Sequence, residues 1–511
     1  MTLLIGLDLG TTTIKASAYD SDAGRVRCTA TRPTPVMHPQ AGWSEHDPAA
    51  LWQAVTGCLA EVAAQTAGES YAGLAIASFA EAGLPLDAAG RALYPVIAWY
   101  DWRCEAQAAL WRQRWTAAQL HAITGQRASP SFGANKWLWL HEHHPEIATQ
   151  TAHWLSVPDY ILWRLAGVAA TDYSIASRTL LFDQRARTWS PELLAAAGLT
   201  AEQLPRPLPA GTAVGTLTPA AAAATDLPAG MPCVLGGHDH LCASLAVGAW
   251  QPGTIVDSSG TAGAVLALLP AFHTSPEAAA GGFACYAHVL PDLYVLKAGL
   301  KLTGGAVDWL ARQLAGPGAA DLYYEALEAA AAQGVGRRAG PVWLPHLHGG
   351  SGTPEGDLAS LAALVGVRSD HEPGDLFRGL LESLAFWLRH NVEVMAALTG
   401  QTATDVILTG GTTRLHLLSQ LKADVLDRPM IVSDVPEAAA LGAALLAGLG
   451  AGVFRSPAEA VASVQYGRTV IEPQPKHATW YDTLYRDIYR RLYDDLRDVN
   501  HRLVELDGGR E

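Results

Sequence analysis

An aspartate at the end of an apolar run is the residue best suited to act on a hydroxyl group. The stretch VLGG is followed by His238-Asp239-His240 and then by small residues typical of a helix. The glycine pair predicts a sharp turn at the end of a strand, which leaves the Asp239 carboxylate facing a cleft. There it could accept a proton from an attacking hydroxyl. Capping of the following helix is the alternative role for Asp239.

Two glycine-threonine turns could offer backbone N–H groups and hydroxyls to phosphate. The first, Gly10-Thr11-Thr12, joins two apolar alternating runs at the start of the chain. The second, Gly260-Thr261, follows another short apolar run about half a chain length farther on. Each predicts a hairpin, and an ordinary hairpin without a ligand is the alternative. The repetition favours a duplicated domain whose two phosphate loops face one cleft.

A glycine pair farther along could admit a flat ring close to the backbone. The run Val406-Ile407-Leu408 leads to Thr409 and Gly410-Gly411, and a helix is predicted to follow as far as Leu426. Glycines at a strand–helix junction let an adenine or ribose approach the main chain. A plain glycine turn is the alternative. A second short strand and an alanine-rich helix that Glu437 opens are predicted next.

Length and composition limit the class of protein. The chain has 511 residues, of which 49% are hydrophobic and 16% charged, so two large globular domains are expected. A formal net charge of −14 argues against a nucleic-acid groove. Six scattered cysteines are typical of a reducing compartment. We find no signal peptide and no apolar run long enough to span a membrane, so a soluble, cytoplasmic protein is expected.

Short β-branched runs alternate with longer amphipathic stretches, which indicates an α/β fold. The Pro252-Gly253 break before the second glycine-threonine turn favours a boundary there. We predict one domain over residues 1–250, a second over 251–451 and a helical extension over 452–511 that packs on the second domain. Within the extension, Tyr481, Leu484, Ile488 and Leu492 have helical spacing, which is typical of a packing face.

Taken together, these motifs resemble the FGGY family of carbohydrate kinases, over nearly the whole chain and in the family's order. The segments that carry the resemblance are Asp8–Thr13 with Lys15, Gly42–Glu45, Trp99 with Asp101 and Arg103, Lys136–Leu140, Thr171–Asp183, Gly237 with Asp239, Gly260–Gly263, Gly304-Gly305 with Trp309, Phe377–Phe386, and Gly410-Gly411 with Arg414 and Glu437.

The resemblance implies two duplicated actin-like (ribonuclease H-like) α/β domains that close over ATP and a sugar, with the active-site cleft between them. It implies that Asp239 deprotonates the acceptor hydroxyl and that Mg²⁺ lies near Asp8 and Asp239. The phosphate- and nucleotide-binding residues that it implies are Gly10, Thr11, Thr12, Lys15, Gly260, Thr261, Gly304, Gly305, Gly410, Gly411 and Arg414. The substrate-binding residues that it implies are Ala80, Glu81, Trp99, Asp101, Asp239 and His240.

The resemblance favours a ketopentose acceptor, D-xylulose first, and a homodimer is common among such relatives. Members that phosphorylate D-xylulose usually carry Gln-Met-His-Gly where this chain has Phe79-Ala80-Glu81-Ala82, and Asn where it has His240. L-Ribulose, L-fuculose, glycerol and gluconate are alternative acceptors, although Glu81 disfavours an anionic one by like-charge repulsion. A non-catalytic ATP-binding sugar sensor and a phosphatase-like hydrolase are the alternatives of other classes.

Overall fold

Two central sheets organise the chain, one in each half. The computed structural model describes residues 2–315, 320–336 and 340–507, and of 320–323 it describes the backbone alone. The last four residues of the predicted extension, 508–511, therefore lie outside the described residues. None of the helices in these ranges is long and apolar enough to cross a membrane.

Among the described residues, the first half contains the six-stranded central sheet, a four-stranded sheet and two short strand pairs. Its strands are β1 (Thr2–Leu9), β2 (Thr13–Asp20), β3 (Arg25–Pro33), β4 (Glu45–His46), β5 (Ser70–Ser78), β6 (Gly83–Leu86), β7 (Val96–Ile97), β8 (His153–Ser156), β9 (Ala170–Asp172), β10 (Phe182–Asp183), β11 (Thr188–Trp189), β12 (Arg206–Leu208), β13 (Ala213–Thr216) and β14 (Pro232–His238). The four-stranded sheet has the order β4-β7-β6-β8, and the two strand pairs are β10–β11 and β9–β12. Its helices are α1 (Pro48–Gln65), α2 (Glu105–Arg114), α3 (Ala117–Thr124), α4 (Gly133–His143), α5 (Pro145–Gln150), α6 (Val157–Ala166), α7 (Tyr173–Ala176), α8 (Pro191–Ala197), α9 (Pro219–Thr225) and α10 (Asp239–Ala246).

The second half contains the seven-stranded central sheet. Its strands are β15 (Ile255–Ser259), β16 (Gly263–Leu269), β17 (Ala284–Ala287), β18 (Tyr294–Leu300), β19 (Val342–Leu344), β20 (Ala363–Val365), β21 (Val406–Thr409), β22 (Met430–Ser433) and β23 (Arg468–Ile471). Its helices are α11 (Pro276–Ala280), α12 (Gly304–Ala315), α13 (Ala320–Gln333), α14 (Pro373–Thr399), α15 (His416–Leu426), α16 (Ala438–Gly450), α17 (Pro457–Ala462), α18 (Pro475–Thr483) and α19 (Arg490–Leu506).

The two sheets share one plan. The first has the order β13-β14-β5-β1-β2-β3, and the second has the order β17-β18-β16-β15-β21-β22-β23. In each, an antiparallel hairpin (β1–β2 or β15–β16) has a parallel strand beside its first member, β5 or β21. Both predicted hairpins are confirmed, and they occupy equivalent positions. This equivalence places the two glycine-threonine turns at corresponding edges of the two sheets.

Two helices from opposite halves pack against each other where the halves meet. Helix α16 of the second half lies on β1, β5 and α10 of the first half. Small residues allow the close approach: a Cβ at Gly6 would lie 1.8 Å from the Ala440 carbonyl oxygen, and one at Gly442 would lie 1.9 Å from the Cys242 carbonyl oxygen. No side chain fits at either point, so both positions need glycine. The small residues of α16 therefore determine how closely α10 packs against it.

The C-terminal extension differs from the prediction in two ways. It is not wholly helical, because β23 adds an edge strand to the second sheet beside β22. Tyr481, Leu484 and Leu492 are buried as predicted, but the packing face shifts between them, since Ile488 is exposed whereas Tyr485 and Tyr489 are buried. A π-helical stretch over Leu484–Tyr489 accounts for the shift, because its wider turn moves the following residues round the helix axis.

Candidate functional site

The carboxyl ends of three neighbouring parallel strands bring the candidate site together. Strands β14, β5 and β1 lie side by side, and β5 is parallel to both of its neighbours. Asp8 lies near the end of β1, Glu81 follows β5, and Asp239 follows β14. Parallel strands end at one edge of a sheet, which is where α/β proteins bind ligands. Residues far apart in the sequence therefore converge by topology alone.

Asp239 is the first residue of α10, and His238 holds the N-cap position. The Asp239 Oδ1 atom accepts the N–H of His240 at 2.6 Å. Burial raises the pKa of Asp239 above its usual range, although the neighbouring His240 opposes the shift. Burial also lowers the pKa of His240, which keeps that ring neutral at pH 7. A carboxylate with a raised pKa is suited to accept a proton near neutral pH.

The glycine pair before Asp239 does not form the predicted turn. Gly236 and Gly237 lie inside β14, where the pairing with β5 has an irregular register between Val234 and Gly237. A Cβ at Gly236 would lie 2.0 Å from the Ile76 carbonyl oxygen, and one at Gly237 would lie 2.5 Å from Val289 Cγ1. The glycines are therefore needed for close packing within a distorted strand rather than for a change of direction.

The Asp8 carboxylate has an oxygen atom that is free to accept a hydrogen bond or to bind a metal ion. Its Oδ1 atom is buried, and within the described chain it has no hydrogen-bond partner. Burial and, second to it, the charge of Asp239 raise the pKa of Asp8 to about 8, whereas Lys15 opposes this shift. No group of three or more metal-ligating side chains occurs among the described residues. Mg²⁺ in nucleotide sites is held by one or two carboxylates together with substrate phosphates, so this pair of carboxylates fits such an ion.

Both glycine-threonine turns are held by a threonine from elsewhere in the sheet. The Thr34 hydroxyl donates to the Gly10 carbonyl at 2.7 Å, and the Thr34 N–H donates to the Thr12 carbonyl at 2.9 Å. In the second half, the Thr303 hydroxyl donates to the Gly260 carbonyl at 3.1 Å, and its N–H donates to the Thr261 carbonyl at 2.9 Å.

These two threonines occupy equivalent positions. Thr34 follows β3, which borders β2, and Thr303 comes after β18, which borders β16. The repeated hydroxyl and N–H contacts show that each turn is built as a unit with the end of the third strand. Sequence reasoning missed both residues, because nothing in their local sequence distinguishes them from other threonines.

Lys15 contacts a residue of the second half. Its ammonium lies 2.6 Å from the Glu437 carboxylate, and both side chains are partly exposed. Glu437 adopts a positive φ of 51° immediately before α16. The predicted phosphate contact of Lys15 therefore competes with this ion pair, which links β2 to the start of the helix that crosses between the halves.

A cavity of about 560 Å³ lies beside the second turn. The predicted nucleotide residues that line it are Gly260, Thr261, Gly304, Gly411 and Arg414. Gly410 adjoins it with a positive φ of 95°, and a Cβ there would lie 2.6 Å from the Ser259 carbonyl oxygen. Gly305 follows Gly304 in the first turn of α12, where its N–H donates to the Thr261 carbonyl. The cavity thus gathers three segments that the sequence analysis singled out separately.

The same cavity has walls that the sequence analysis missed. They include Asp308, Tyr324, Glu325, Glu328 and Thr412. The helical prediction after Gly411 is correct only in part, because a 3₁₀ turn over Gly411–Arg414 precedes α15. This turn brings Thr412 and Arg414 to the cavity wall. No sequence signal pointed to the acidic residues, since they come from helices whose patterns resemble any surface helix.

On the acceptor side, Glu81 forms a buried ion pair with Arg178. The Arg178 Nε atom donates to Glu81 Oε1 at 2.6 Å, and Nη1 donates to Gln126 Oε1 at 2.9 Å. Glu81 has a positive φ of 67°, so its backbone holds a conformation that such residues rarely adopt. The argument that Glu81 repels an anionic acceptor therefore loses its basis, because Arg178 neutralises the carboxylate.

The other predicted acceptor residues fall into two groups. Trp99 is half-exposed, and its indole N–H donates to the Thr11 hydroxyl at 3.0 Å, which joins the acceptor side to the first turn. Asp101, in contrast, is buried and bonded through both oxygens: Oδ1 accepts from Arg103 Nε at 2.9 Å, and Oδ2 accepts from Arg103 Nη2 and from the Ser44 N–H, each at 2.6 Å. Ala80 is also buried. This geometry gives Asp101 a role in holding the wall of the site and does not support direct contact with the acceptor.

Comparison with known proteins gives matches along nearly the whole chain. The family models for the N-terminal and C-terminal domains of the FGGY family of carbohydrate kinases match residues 3–246 and 256–451. A xylulose kinase from Escherichia coli K12 is 31% identical over 496 residues, which cover 97% of this chain and 99% of the relative. A glycerol kinase from Gloeobacter violaceus is 32% identical over 508 residues, which cover 94% and 96%.

The solved structure of a xylulose kinase from Rhodospirillum rubrum has the same fold. It matches with a TM-score of 0.91 at 31% identity and covers 98% of this chain and 100% of that one. The predicted α/β fold with two actin-like domains is thereby confirmed.

Proposed function

The chain belongs to the FGGY family of carbohydrate kinases, and we propose that it transfers the γ-phosphoryl group of ATP to a hydroxyl of a ketopentose, D-xylulose first. The observation that carries this proposal is the placement of two carboxylates, Asp8 and Asp239, at the edge where β1 and β14 end. The names of the relatives from E. coli and R. rubrum support D-xylulose. Glycerol is the second candidate acceptor, because a relative that is 32% identical to this chain is a glycerol kinase.

Asp239 acts as the general base in this proposal. Its raised pKa suits proton transfer at neutral pH, and such a base typically accelerates a reaction by about 10²–10⁴-fold. The N–H of His240 holds one carboxylate oxygen and leaves the other for the acceptor hydroxyl. Glu81, His240 and Trp99 would orient the acceptor around that carboxylate.

The two glycine-threonine turns hold the phosphates from opposite sides. Their N–H groups and hydroxyls suit phosphate oxygens, and the cavity beside Gly411 suits the adenosine. Mg²⁺ bound near Asp8 and Asp239 would offset charge on the phosphates. Residues 1–250 and 251–451 would act as two domains that close and exclude water during transfer. Lys15 would exchange its ion pair with Glu437 for a phosphate in that closed state.

The test is ADP release with Mg·ATP over a panel of acceptors. The panel contains D-xylulose, L-ribulose, L-fuculose, glycerol and gluconate, with ATP alone as the blank. D-Xylulose should give the highest kcat/KM. A different leading acceptor would refute the ketopentose assignment but keep the kinase. ATP binding without any stimulated turnover would refute the kinase and favour a sugar sensor.

We also propose a cytoplasmic location, for which the six unpaired cysteines give general support, and a homodimer, the state that the family resemblance favours. Light scattering of the purified chain measures its mass, and a value near 54.0 kDa would contradict the dimer.

A further inference from the structure

A second cavity, of about 280 Å³, opens between the two halves on the acceptor side. Four cationic side chains line it, namely Arg127, Arg178, Lys297 and Lys301. Among the described residues that form its wall there is no Asp or Glu. A cavity with this lining favours an anion, because its wall keeps a net positive charge even though Arg178 is paired with Glu81.

Lys297 is the residue in this wall that most needs a partner. It lies on β18, and within the described part of the chain its ammonium makes no hydrogen bond or ion pair. It interacts electrostatically with Arg178, Glu81 and Asp239, so it adjoins the acceptor side of the site. Burial lowers the pKa of Lys297 to about 8. Lys297 is half-buried, so its ammonium can meet a ligand in the cavity, and an anion bound there would supply the counter-charge that it lacks.

The remaining walls leave room for such a ligand. Arg178 is already neutralised by Glu81, and Arg127 donates to the Gly356 carbonyl at 3.3 Å. Glycines face the cations: a Cβ at Gly282 would lie 3.3 Å from Arg127 Nη1, and one at Gly350 would lie 3.6 Å from Lys301 Nζ. Larger residues at these positions would fill the space in front of the guanidinium and ammonium groups.

We propose that Lys297, with Arg127, Arg178 and Lys301 around it, forms a subsite for a carboxylate or phosphate group beside the acceptor. The proposal rests on the proposed function, because it places the subsite next to the acceptor of a kinase reaction. The anionic group has two possible sources. It is carried by the acceptor itself, as in a sugar acid, or it belongs to a separate anion that binds beside a neutral acceptor.

The first arm of the test compares acceptors that differ at one terminal carbon, which carries a neutral CH₂OH group in one and a carboxylate in the other. Matched pairs are xylitol with D-xylonate and D-glucitol with D-gluconate, assayed by ADP release. For an acceptor-borne anion, Lys297→Met should lower kcat/KM for the acid by about 10- to 100-fold, the range expected for a lost charged hydrogen bond. The matched polyol should change little. Lys297→Arg, which keeps the cation, should retain most of the preference for the acid.

The second arm measures a free anion without turnover. Calorimetric titration of the full chain with inorganic phosphate, in the presence of Mg·ADP, should show binding that Lys297→Met weakens by about the same factor. Lys476→Met is the matched control, because Lys476 is exposed on α18. Thermal melts of each variant verify folding.

The outcomes distinguish the two sources of the anion, and they also distinguish failure of the subsite from failure of the proposed kinase function. Loss confined to the acids supports an acceptor-borne anion, and loss confined to phosphate binding supports a free anion. Phosphate binding that depends on Lys297, with no acceptor turned over, supports the subsite and refutes the kinase. If Lys297→Met and wild type respond alike to the acids and to phosphate, the subsite is refuted whatever the kinase assay shows.

Discussion

The threonines that hold the two turns should not contribute equally, and the structure ranks them. Thr34→Val removes the hydroxyl that donates to the Gly10 carbonyl at 2.7 Å, and within the described chain no second donor reaches that oxygen. Thr303→Val removes a donor to the Gly260 carbonyl, which keeps the Gly304 N–H at 2.9 Å. The first change leaves a carbonyl unpaired, and the second does not.

The magnitudes follow from this difference. Gly10 is only partly buried, so a carbonyl left without a partner there costs up to about 1–3 kcal/mol, whereas the loss of one hydrogen bond of two costs about 0.5–1.5 kcal/mol. If the turns bind phosphate in this conformation, Thr34→Val should lower kcat/KM for ATP by about 5- to 150-fold and Thr303→Val by about 2- to 12-fold.

The assay is ADP release at varied ATP with saturating acceptor, alongside urea unfolding of each variant. Thr34→Ser and Thr303→Ser keep the hydroxyl and serve as controls, which should remain close to wild type. Unchanged kcat/KM for ATP in both valine variants, despite a lower urea midpoint, would refute the phosphate role of the turns. Equal losses would refute the ranking by carbonyl partners.

Three further predictions concern the carboxylates. Asp239→Asn should lower kcat by about 10²–10⁴-fold while calorimetry shows unchanged Mg·ADP affinity, and retained turnover would exclude Asp239 as the base. Glu81→Gln leaves Arg178 without its counter-charge, although its hydrogen bond to Gln126 remains, and should lower the free energy of unfolding by about 3–5 kcal/mol. The double variant Glu81→Gln/Arg178→Gln should recover part of this loss, and additive effects of the two changes would contradict the ion pair. Because the pKa of Asp8 is raised from 3.8 to about 8, the folded state holds a proton that the unfolded state loses, so Asp8 ionisation should reduce stability as pH rises from 4 to 8. Urea unfolding should show this slope in wild type and a smaller one in Asp8→Asn, and Mg·ADP affinity should rise with pH only where Asp8 is present.

The sequence predicted those parts of the site that depend on local patterns. Asp239 at a strand end and the glycines of the two turns have distinctive neighbours, so they were found without tertiary information. The partners of these residues were not found. Thr34 and Thr303 act through sheet neighbours, and Arg178 meets Glu81 across 97 positions of sequence. Such contacts depend on strand order, which no local pattern encodes.

Local reasoning also failed where packing determined the backbone. Gly236-Gly237 was predicted as a turn because glycine permits one, but the crowding by Ile76 and Val289 shows a different need for the missing Cβ. The helical spacing of Tyr481, Leu484, Ile488 and Leu492 predicted one buried face, and only Ile488 is exposed. The π-helical stretch adds Tyr485 and Tyr489 to the buried positions. In both cases the deviation lies inside an element whose type was predicted correctly.

The packing of α16 on the first half limits how the two glycine-threonine turns can move relative to each other. Helix α10 begins with Asp239 and packs on α16, and α16 begins beside Glu437, which binds Lys15. The contact of Gly442 with Cys242 is too close for either helix to slide past the other. We therefore expect the proposed closure to rotate the sheets about this helix pair, which would keep Asp8 and Asp239 together. In the proposed closure, the second turn and the cavity beside it would move toward Asp239, which would stay in place.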